Sequence, residues 1–316
     1  MLSRVADSLY WMSRYIERAE HMARVVDVHL NSMLDQGPQS GASHQHLLLR
    51  SLGQSLPDAP SDPYELARRL TFDRSIPSIV GCIALARDNA RQIREGISSE
   101  MYQQLNELFL RTTEPDVESE WNQAPHEFFD RVKEGAHLFT GVTEDTFSHG
   151  EAYAFIRVGK NLERAGAMVL LLQAHAASFG GDDGGTVGNY LEWVSLLRSC
   201  SAFEAYCRKN TADLQARKIV EFLLLEDGLP RSVRFCVDNI QRDLNTIAGY
   251  TGRTRDNQLS RVAGKLRAQL DYADAGEVMR DDLSVFLRSI QGGLSQIHAS
   301  LFGTYVRYTV GATMAL

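Results

Sequence analysis

The stretch RVADSLYWMSRYIERAEHMARVVDV, residues 4–28, carries apolar side chains at alternating spacings of three and four residues. This spacing places them on one side of a helix, so the stretch predicts a long amphipathic α-helix. The apolar seam continues to Met33, which corresponds to a helix of about 50 Å at ~1.5 Å per residue. The seam positions are Val5, Leu9, Met12, Ile16, Ala19, Ala23, Val26, Leu30 and Met33.

The rest of the chain has the same helical character. Clusters of proline and glycine divide it, and the segments between them show no sustained two-residue alternation of the kind that strands have. These clusters are QGPQSGAS (36–43), SLPDAPSDP (55–63), TEPDVESEWNQAP (113–125), FGGDDGGTVG (179–188) and EDGLP (226–230). A second apolar seam runs from Leu283 to Leu301. We therefore predict an all-α fold, a helical bundle with long helices at both ends and shorter ones between.

Composition narrows the class of protein. The chain has 316 residues, of which 44% are hydrophobic, so it can bury a large core. Its 33 basic and 40 acidic residues are scattered, which argues against a nucleic-acid partner. It has no run of about 18 apolar residues, no recognisable secretion signal and no C-x-x-C pair. We expect a soluble cytoplasmic protein without a membrane partner.

The tripeptide Glu-Arg-Ala occurs at residues 17–19 and again at 163–165, 146 positions later. The same shift carries the apolar seam of the first copy onto apolar residues of the second. A further echo links SIVGCIALARDN (78–89) with SVRFCVDNIQRD (232–243), and a proline precedes each. We predict two related helical halves, residues 1–145 and 146–316, packed together and able to form one compact domain.

The charged residues of the repeat raise a pairing problem. Neighbours on a helix diverge by about 100°, so Glu17 cannot pair with Arg18, nor Glu163 with Arg164. If the repeated helices face each other across a pseudo-two-fold axis, the charges can pair reciprocally. We therefore predict two ion pairs across the axis, Glu17 with Arg164 and Glu163 with Arg18.

Two interpretations of this cluster stay open. In one, it is a buried network of ion pairs that ties the halves together. In the other, Arg14 and Lys160 add positive charge, four cations face two carboxylates, and the arginines bind an anionic group such as a carboxylate or phosphate. His21 is a candidate general base, or else a packing residue. The second copy has Ala167 at the position of His21, so such a role would belong to one half only.

No pattern in the sequence indicates a cofactor or a metal. The glycine-rich FGGDDGGTVG matches neither the P-loop nor the dinucleotide fingerprint. His44 and His46, in a segment that reads as a polar loop, have no carboxylate or cysteine at ligand spacing. We expect neither a cofactor nor a metal in this chain, and the catalytic residues stay unassigned.

Several segments together resemble the bacterial alpha-E family of all-helical proteins, which are named for a recurrent Glu-Arg motif. They are the N-terminal helix, LERA (162–165), WVSLLRSCSAFEAYCRKN (193–210), VEFLLLEDGLPRSV (220–233) and the apolar C-terminal seam. The resemblance implies that Glu17-Arg18 and Glu163-Arg164 are the motif positions. It also implies a partner, a circularly permuted ATP-grasp protein that resembles an amide ligase, often accompanied by a transglutaminase-like protease homologue.

These observations support functions of different classes. The chain is expected to be an accessory or substrate-binding component of an ATP-grasp amide-ligase system that modifies peptides, with ATP bound only by the partner. The alternatives are a stand-alone enzyme acting on an anionic peptide-like substrate, and a purely structural scaffold. The first is favoured because the sequence contains no recognisable nucleophile, metal set or phosphate loop.

Overall fold

The computed structural model describes residues 1, 3–36, 41–179, 187–211, 213–252 and 258–306. All regular secondary structure in these ranges is helical, which confirms the predicted all-α class. The α-helices are α1 Ser3–Gln36, α2 Gly41–Ser51, α3 Pro63–Phe72, α4 Ile79–Gln92, α5 Ser99–Arg111, α6 Val117–Gln123, α7 Pro125–Thr146, α8 Glu151–Ala174, α9 Ala176–Phe179, α10 Val187–Ser199, α11 Phe203–Asn210, α12 Ala216–Leu225, α13 Val233–Thr251, α14 Gln258–Asp271, α15 Ala275–Asp281 and α16 Leu283–Leu301. A 3-10 turn, Arg94–Gly96, follows α4, and a π-helical turn, Phe302–Val306, follows α16. None of the helices described is both long and apolar enough to cross a membrane.

A serine side chain caps the N-terminus of α4 and of α13, the two helices that contain the similar segments 78–89 and 232–243. The Ser78 hydroxyl accepts a hydrogen bond from the Gly81 N–H at the start of α4. The Ser232 hydroxyl accepts one from the Phe235 N–H at the start of α13. Such an N-cap typically contributes about 1 kcal/mol. The echo therefore aligns two helices that begin in the same way.

Helices α1 and α8 lie at the centre of the fold. They pack against each other, and each is covered by a further helix, α4 on α1 and α13 on α8. Gly159 approaches Ser13, and further along both helices Arg164 binds Glu17. Residue numbers therefore increase in the same direction on α1 and α8, so the two helices run parallel. The predicted packing of the first helix against the helix around residues 150–178 is confirmed.

The packing order repeats along the chain. Helix α4 contacts α5, α5 contacts α7, and α7 returns to α1. In the same way α13 contacts α14, α14 contacts α16, and α16 returns to α8. The division into two related halves, 1–145 and 146–316, is a statement about the sequence repeat and stays a prediction.

The structure corrects two details of the sequence interpretation. The segment 113–125, expected to interrupt the helices, contains α6, whose Val117 and Trp121 are buried four residues apart. Its prolines stand before α6 and at the start of α7, where the missing N–H of proline costs no helical hydrogen bond. His44 and His46 lie in α2 rather than in a loop. The glycine-rich segment lies mostly outside the described residues.

The two central helices approach each other closely at Gly159. A Cβ atom built on this residue would lie 2.3 Å from the Ser13 hydroxyl oxygen and 2.5 Å from the carbonyl oxygen of Tyr10. The carbonyl belongs to the backbone of α1 and cannot rotate away. Ser13 and Gly159 are also equivalent under the 146-residue shift, so this close contact joins corresponding positions of the repeat.

Replacing Gly159 with alanine should therefore push α1 and α8 apart. We expect Gly159→Ala to lower the free energy of unfolding by about 1–3 kcal/mol or more, as overpacking typically does. Urea-induced unfolding measures this. Gly166→Ala in the same helix is the control, because its Cβ would meet nothing within 4 Å and alanine favours a helix by about 0.5–1 kcal/mol. Equal stabilities of the two variants would contradict the close contact.

Candidate functional site

The two Glu-Arg motifs pair reciprocally between α1 and α8. The Nε and Nη2 atoms of Arg164 donate to the two carboxylate oxygens of Glu17 at 2.7 and 2.8 Å. The Nε and Nη2 atoms of Arg18 donate to the two oxygens of Glu163 at 2.5 and 3.0 Å. Both pairs have the two-bond fork geometry that makes arginine–carboxylate contacts strong and directional. The predicted reciprocal pairing is confirmed.

The two additional cations of the repeat behave differently. Arg14 joins the cluster, because its Nε donates to Glu163 at 2.7 Å. Lys160, at the equivalent position of the second copy, makes no hydrogen bond or ion pair with a described residue. Burial, reinforced by the charge of Arg164, lowers the pKa of the Lys160 amine to about 8. The expected four cations are present, but only three of them bind the motif carboxylates.

Sequence reasoning missed three members of the cluster. The Nη2 atom of Arg231 donates to Glu20 at 2.6 Å, and its Nη1 lies 3.4 Å from Glu17. Arg24 also donates to Glu20. Glu20 lies three residues after Glu17, so helical spacing could have placed it on the same face. Arg231 comes from the segment before α13, and only the fold brings it to α1.

The arginines determine the charge state of the buried carboxylates. Burial by itself raises the pKa of Glu17, but the neighbouring Arg164 and Arg231 lower it below its usual value. The pKa of Glu163 is also lowered, because hydrogen bonds from Arg18 and Arg14 outweigh the effect of burial. Both carboxylates are therefore ionised at neutral pH and are poor proton acceptors.

One side of this network opens into a cavity of about 440 Å³, which we name the arginine cavity. Its lining includes the charged side chains of Arg14, Arg18 and Glu163 and the imidazole rings of His21 and His298. The neutral polar residues of the lining are Ser51, Gln54, Gln291 and Ser295. The Arg18 side chain is 29% exposed. Its Nη1 has no hydrogen-bond partner among the described residues. One motif arginine is thus partly exposed within a concave pocket.

Aromatic rings hold Arg14 in place at the edge of the arginine cavity. Its Nη1 donates to the Tyr10 hydroxyl at 3.0 Å, and that hydroxyl lies 2.7 Å from Nδ1 of His298. The guanidinium carbon of Arg14 also lies 4.9 Å from the centre of the Trp11 ring, a cation–π contact. All three guanidinium nitrogens of Arg14 thus have a partner, whereas Nη1 of Arg18 has none among the described residues.

His21 lines the arginine cavity but is not placed as a strong base. It is 6% exposed, and its Nε2 atom has no hydrogen-bond partner within the described parts of the chain. Burial, together with the positive charge of Arg231, lowers the pKa of His21 to about 4. The ring is therefore neutral at pH 7, which favours a role in hydrogen bonding over one as a general base. Ala167, its equivalent, lines the same cavity.

The cysteines near the ion-pair network are poorly suited to act as nucleophiles. Burial raises the pKa of Cys82 and Cys236 to about 12, although each has an arginine of the network nearby that opposes the shift. Such thiols are almost entirely protonated at neutral pH and are poor nucleophiles. In the part of the chain that the structure describes, no three histidine, cysteine, aspartate or glutamate side chains are placed to hold a metal ion.

A double-mutant cycle measures how strongly the reciprocal pairs couple. We expect Glu17→Gln and Arg164→Met to show a coupling of about 1–3 kcal/mol in urea-induced unfolding, because the pair is buried and bidentate. The same cycle on Glu107 and Arg111, whose side chains are 42% and 59% exposed, is the control and should give about 0.3–0.5 kcal/mol. Equal coupling in both cycles would mean that burial adds nothing to the central pair.

Comparison with known proteins identifies the family. Residues 1–306 match Alpha-E, which is described as "A predicted alpha-helical domain with a conserved ER motif". An uncharacterised protein of Mycobacterium bovis is 23% identical over 94% of this chain and 35% of its own length. An uncharacterised protein of Mycobacterium tuberculosis is 22% identical over the same shares. The chain thus spans about a third of the length of these relatives. No solved structure matches it. Because the family match covers nearly the whole chain, this protein belongs to the Alpha-E family.

Proposed function

We propose that this chain is the substrate-binding component of a peptide-modifying system, and that it holds the carboxylate of an anionic peptide-like substrate in the arginine cavity. The observation that carries the proposal is the geometry of the Arg18 guanidinium. Glu163 binds its Nε and Nη2 and so fixes its orientation, while Nη1 stays available beside a cavity large enough for a small ligand. A guanidinium that is already oriented loses less conformational entropy when it binds.

The charge of the cavity favours a carboxylate over a phosphate. Arg14 and Arg18 carry two positive charges, and Glu163 carries one negative charge. His21 and His298 are neutral because burial lowers the pKa of each. The lining therefore has an excess of one positive charge. A singly charged carboxylate balances that excess, whereas a phosphate dianion would exceed it in a partly desolvated site.

Two properties of the lining favour binding over acid-base catalysis. The Glu163 carboxylate accepts three hydrogen bonds from guanidinium groups, and its pKa is lowered. The pKa of His21, about 4, makes its ring a weak base at neutral pH. An efficient general base has a pKa close to the working pH.

We further propose that the chemistry is performed by a partner of the ATP-grasp amide-ligase type, to which this chain presents its substrate. The long relatives support a partnership, since a unit of this size occupies about a third of their length and leaves room for further domains. The resemblance to the alpha-E family supports the ATP-grasp class and, as a second partner, a transglutaminase-like protease homologue. ATP would bind to the partner, and the system would work in the cytoplasm, where ATP is supplied.

The carboxylate site can be tested with N-acetyl-L-alanine as a probe and its neutral amide as a matched control. We expect calorimetry or NMR titration to detect the acid and not the amide. Arg18→Gln should weaken binding of the acid at least tenfold, because it removes the available donor and the charge. Arg111→Gln, in an exposed ion pair on α5, should change nothing. Equal binding by both variants would contradict the site.

The partnership can be tested by co-expressing this chain with an ATP-grasp protein encoded in the same genome. If the proposal is right, the two co-purify, and ATP hydrolysis by the ligase in the presence of a peptide acid increases when this chain is added. Arg18→Gln should abolish that increase without preventing co-purification. No co-purification and no effect on ATP hydrolysis would leave the chain without this partner class.

A further inference from the structure

We infer that the ligand of the arginine cavity is an oligopeptide with a free carboxyl terminus, and that its body extends along α1 and α8 into a second cavity. This inference rests on the proposed function and adds the length and class of the substrate. The second cavity has a volume of about 350 Å³. We name it the histidine cavity, after His29, His44, His46 and His175 in its lining.

The two cavities follow each other along the same pair of helices. On α1, the lining passes from Arg18 and His21 in the first cavity to His29 in the second. On α8, it passes from Leu170 in the first to Leu171 in the second. Since these helices run parallel, both sets of residues advance in the same direction.

Ser51, the last residue of α2, lines both cavities and marks the point where they adjoin. The stretch of α1 from Arg18 to His29 is about 17 Å long at ~1.5 Å per residue. An extended peptide rises by about 3.3 Å per residue, so roughly five residues would cover that stretch. A single amino acid would fill only the arginine cavity.

Each cavity contains a hydrogen-bond acceptor that has no donor among the described residues. In the arginine cavity, the amide nitrogen of Gln54 donates to the Pro77 carbonyl at 2.7 Å. This contact fixes the orientation of the amide, because a carbonyl only accepts. The Oε1 atom of Gln54 is consequently an acceptor, and it is buried without a hydrogen-bond partner among the described residues. A buried acceptor of this kind gains from a ligand N–H.

The histidine cavity repeats this situation. Burial lowers the pKa of His175, so its ring is neutral at pH 7. Its Nδ1 atom lies 2.9 Å from the Leu171 carbonyl, so Nδ1 carries the proton and Nε2 keeps its lone pair. The Nε2 atom lies 4.0 Å from Glu192, beyond hydrogen-bond distance. Burial, together with His44, lowers the pKa of His29 to about 4, so the His29 ring is also neutral. Its Nε2 atom is buried and has no hydrogen-bond partner in the described chain, and it accepts a ligand N–H in the tautomer that protonates Nδ1.

A peptide backbone fits this arrangement better than a compact acid does. Its N–H groups recur along the chain and can reach acceptors in both cavities, whereas a small acid reaches only one. The hydroxyls of Ser51, Ser195 and Ser199 line the histidine cavity and can donate to peptide carbonyls. The hydroxyl of Ser32, also in the lining, already donates to the His29 carbonyl. Arg50 and Glu192, one cation and one anion, line the histidine cavity, so their charges cancel. The arginine cavity keeps an excess of one positive charge, which matches a chain with one terminal carboxylate.

The test compares N-acetylated alanine peptides of one, three and five residues, each as free acid and as amide. For the wild-type protein we expect the affinity of the acids to rise at least tenfold from one residue to five. Ser195→Leu, which places a larger side chain in the histidine cavity, should remove this gain and leave N-acetylalanine binding intact. Ser32→Leu, on α1, fills the same cavity from another helix and guards against a local folding defect.

The outcomes separate this inference from the proposed function. If Arg18→Gln weakens every acid but length and Ser195→Leu have no effect, the arginine cavity binds a small acid and the extension is wrong. If Arg18→Gln has no effect on any acid, the proposed function fails as well. If the amides bind as well as the acids and gain with length, the histidine cavity binds peptides without a carboxylate anchor, which contradicts the polarity inferred here.

Discussion

The fold depends on a buried contact in which two parallel helices each carry a carboxylate and a guanidinium that cannot pair within their own helix. Glu17 and Arg18 diverge on α1, and Glu163 and Arg164 diverge on α8, so every one of the four charges needs a partner from the opposite helix. The glycine at position 159 lets the helices come close enough for both forks to close. A shift of either helix along the other would leave charges buried and unpaired, which is far more costly than a lost surface contact.

The structural and ligand-binding interpretations of the Glu-Arg motifs are therefore compatible. In the Glu17–Arg164 pair, Glu17 also contacts Arg231. This pair does not line the arginine cavity. The Glu163–Arg18 pair does line it, and there the carboxylate acts as a support that orients the guanidinium. The same kind of interaction thus stabilises the helix contact on one side and prepares a donor for a ligand on the other.

The residues around the two Glu-Arg motifs differ, and these differences decide which of the two ion pairs borders the arginine cavity. Arg14 binds Glu163, whereas its equivalent Lys160 leaves Glu17 to Arg231. His21 adds a ring nitrogen that has no partner in the described parts of the chain, and its equivalent Ala167 contributes only a methyl group to the same cavity. Two helices that carry the same motif can in this way form symmetric ion pairs and still build a single site.

The sequence by itself determined the helical class, the central pair of helices and the reciprocal ion pairs. These follow from spacing along one helix and from the repeat, and both are local or symmetric properties that a sequence records. It did not determine that Arg231 closes the Glu17 pair, that α2 lies beside the α1–α8 groove, or that His29 and His175 share a cavity with His44 and His46. Those features join segments far apart in the chain, and their positions depend on how the outer helices pack. Only the tertiary structure decides which polar atoms are buried without a partner, because burial is a property of the whole fold.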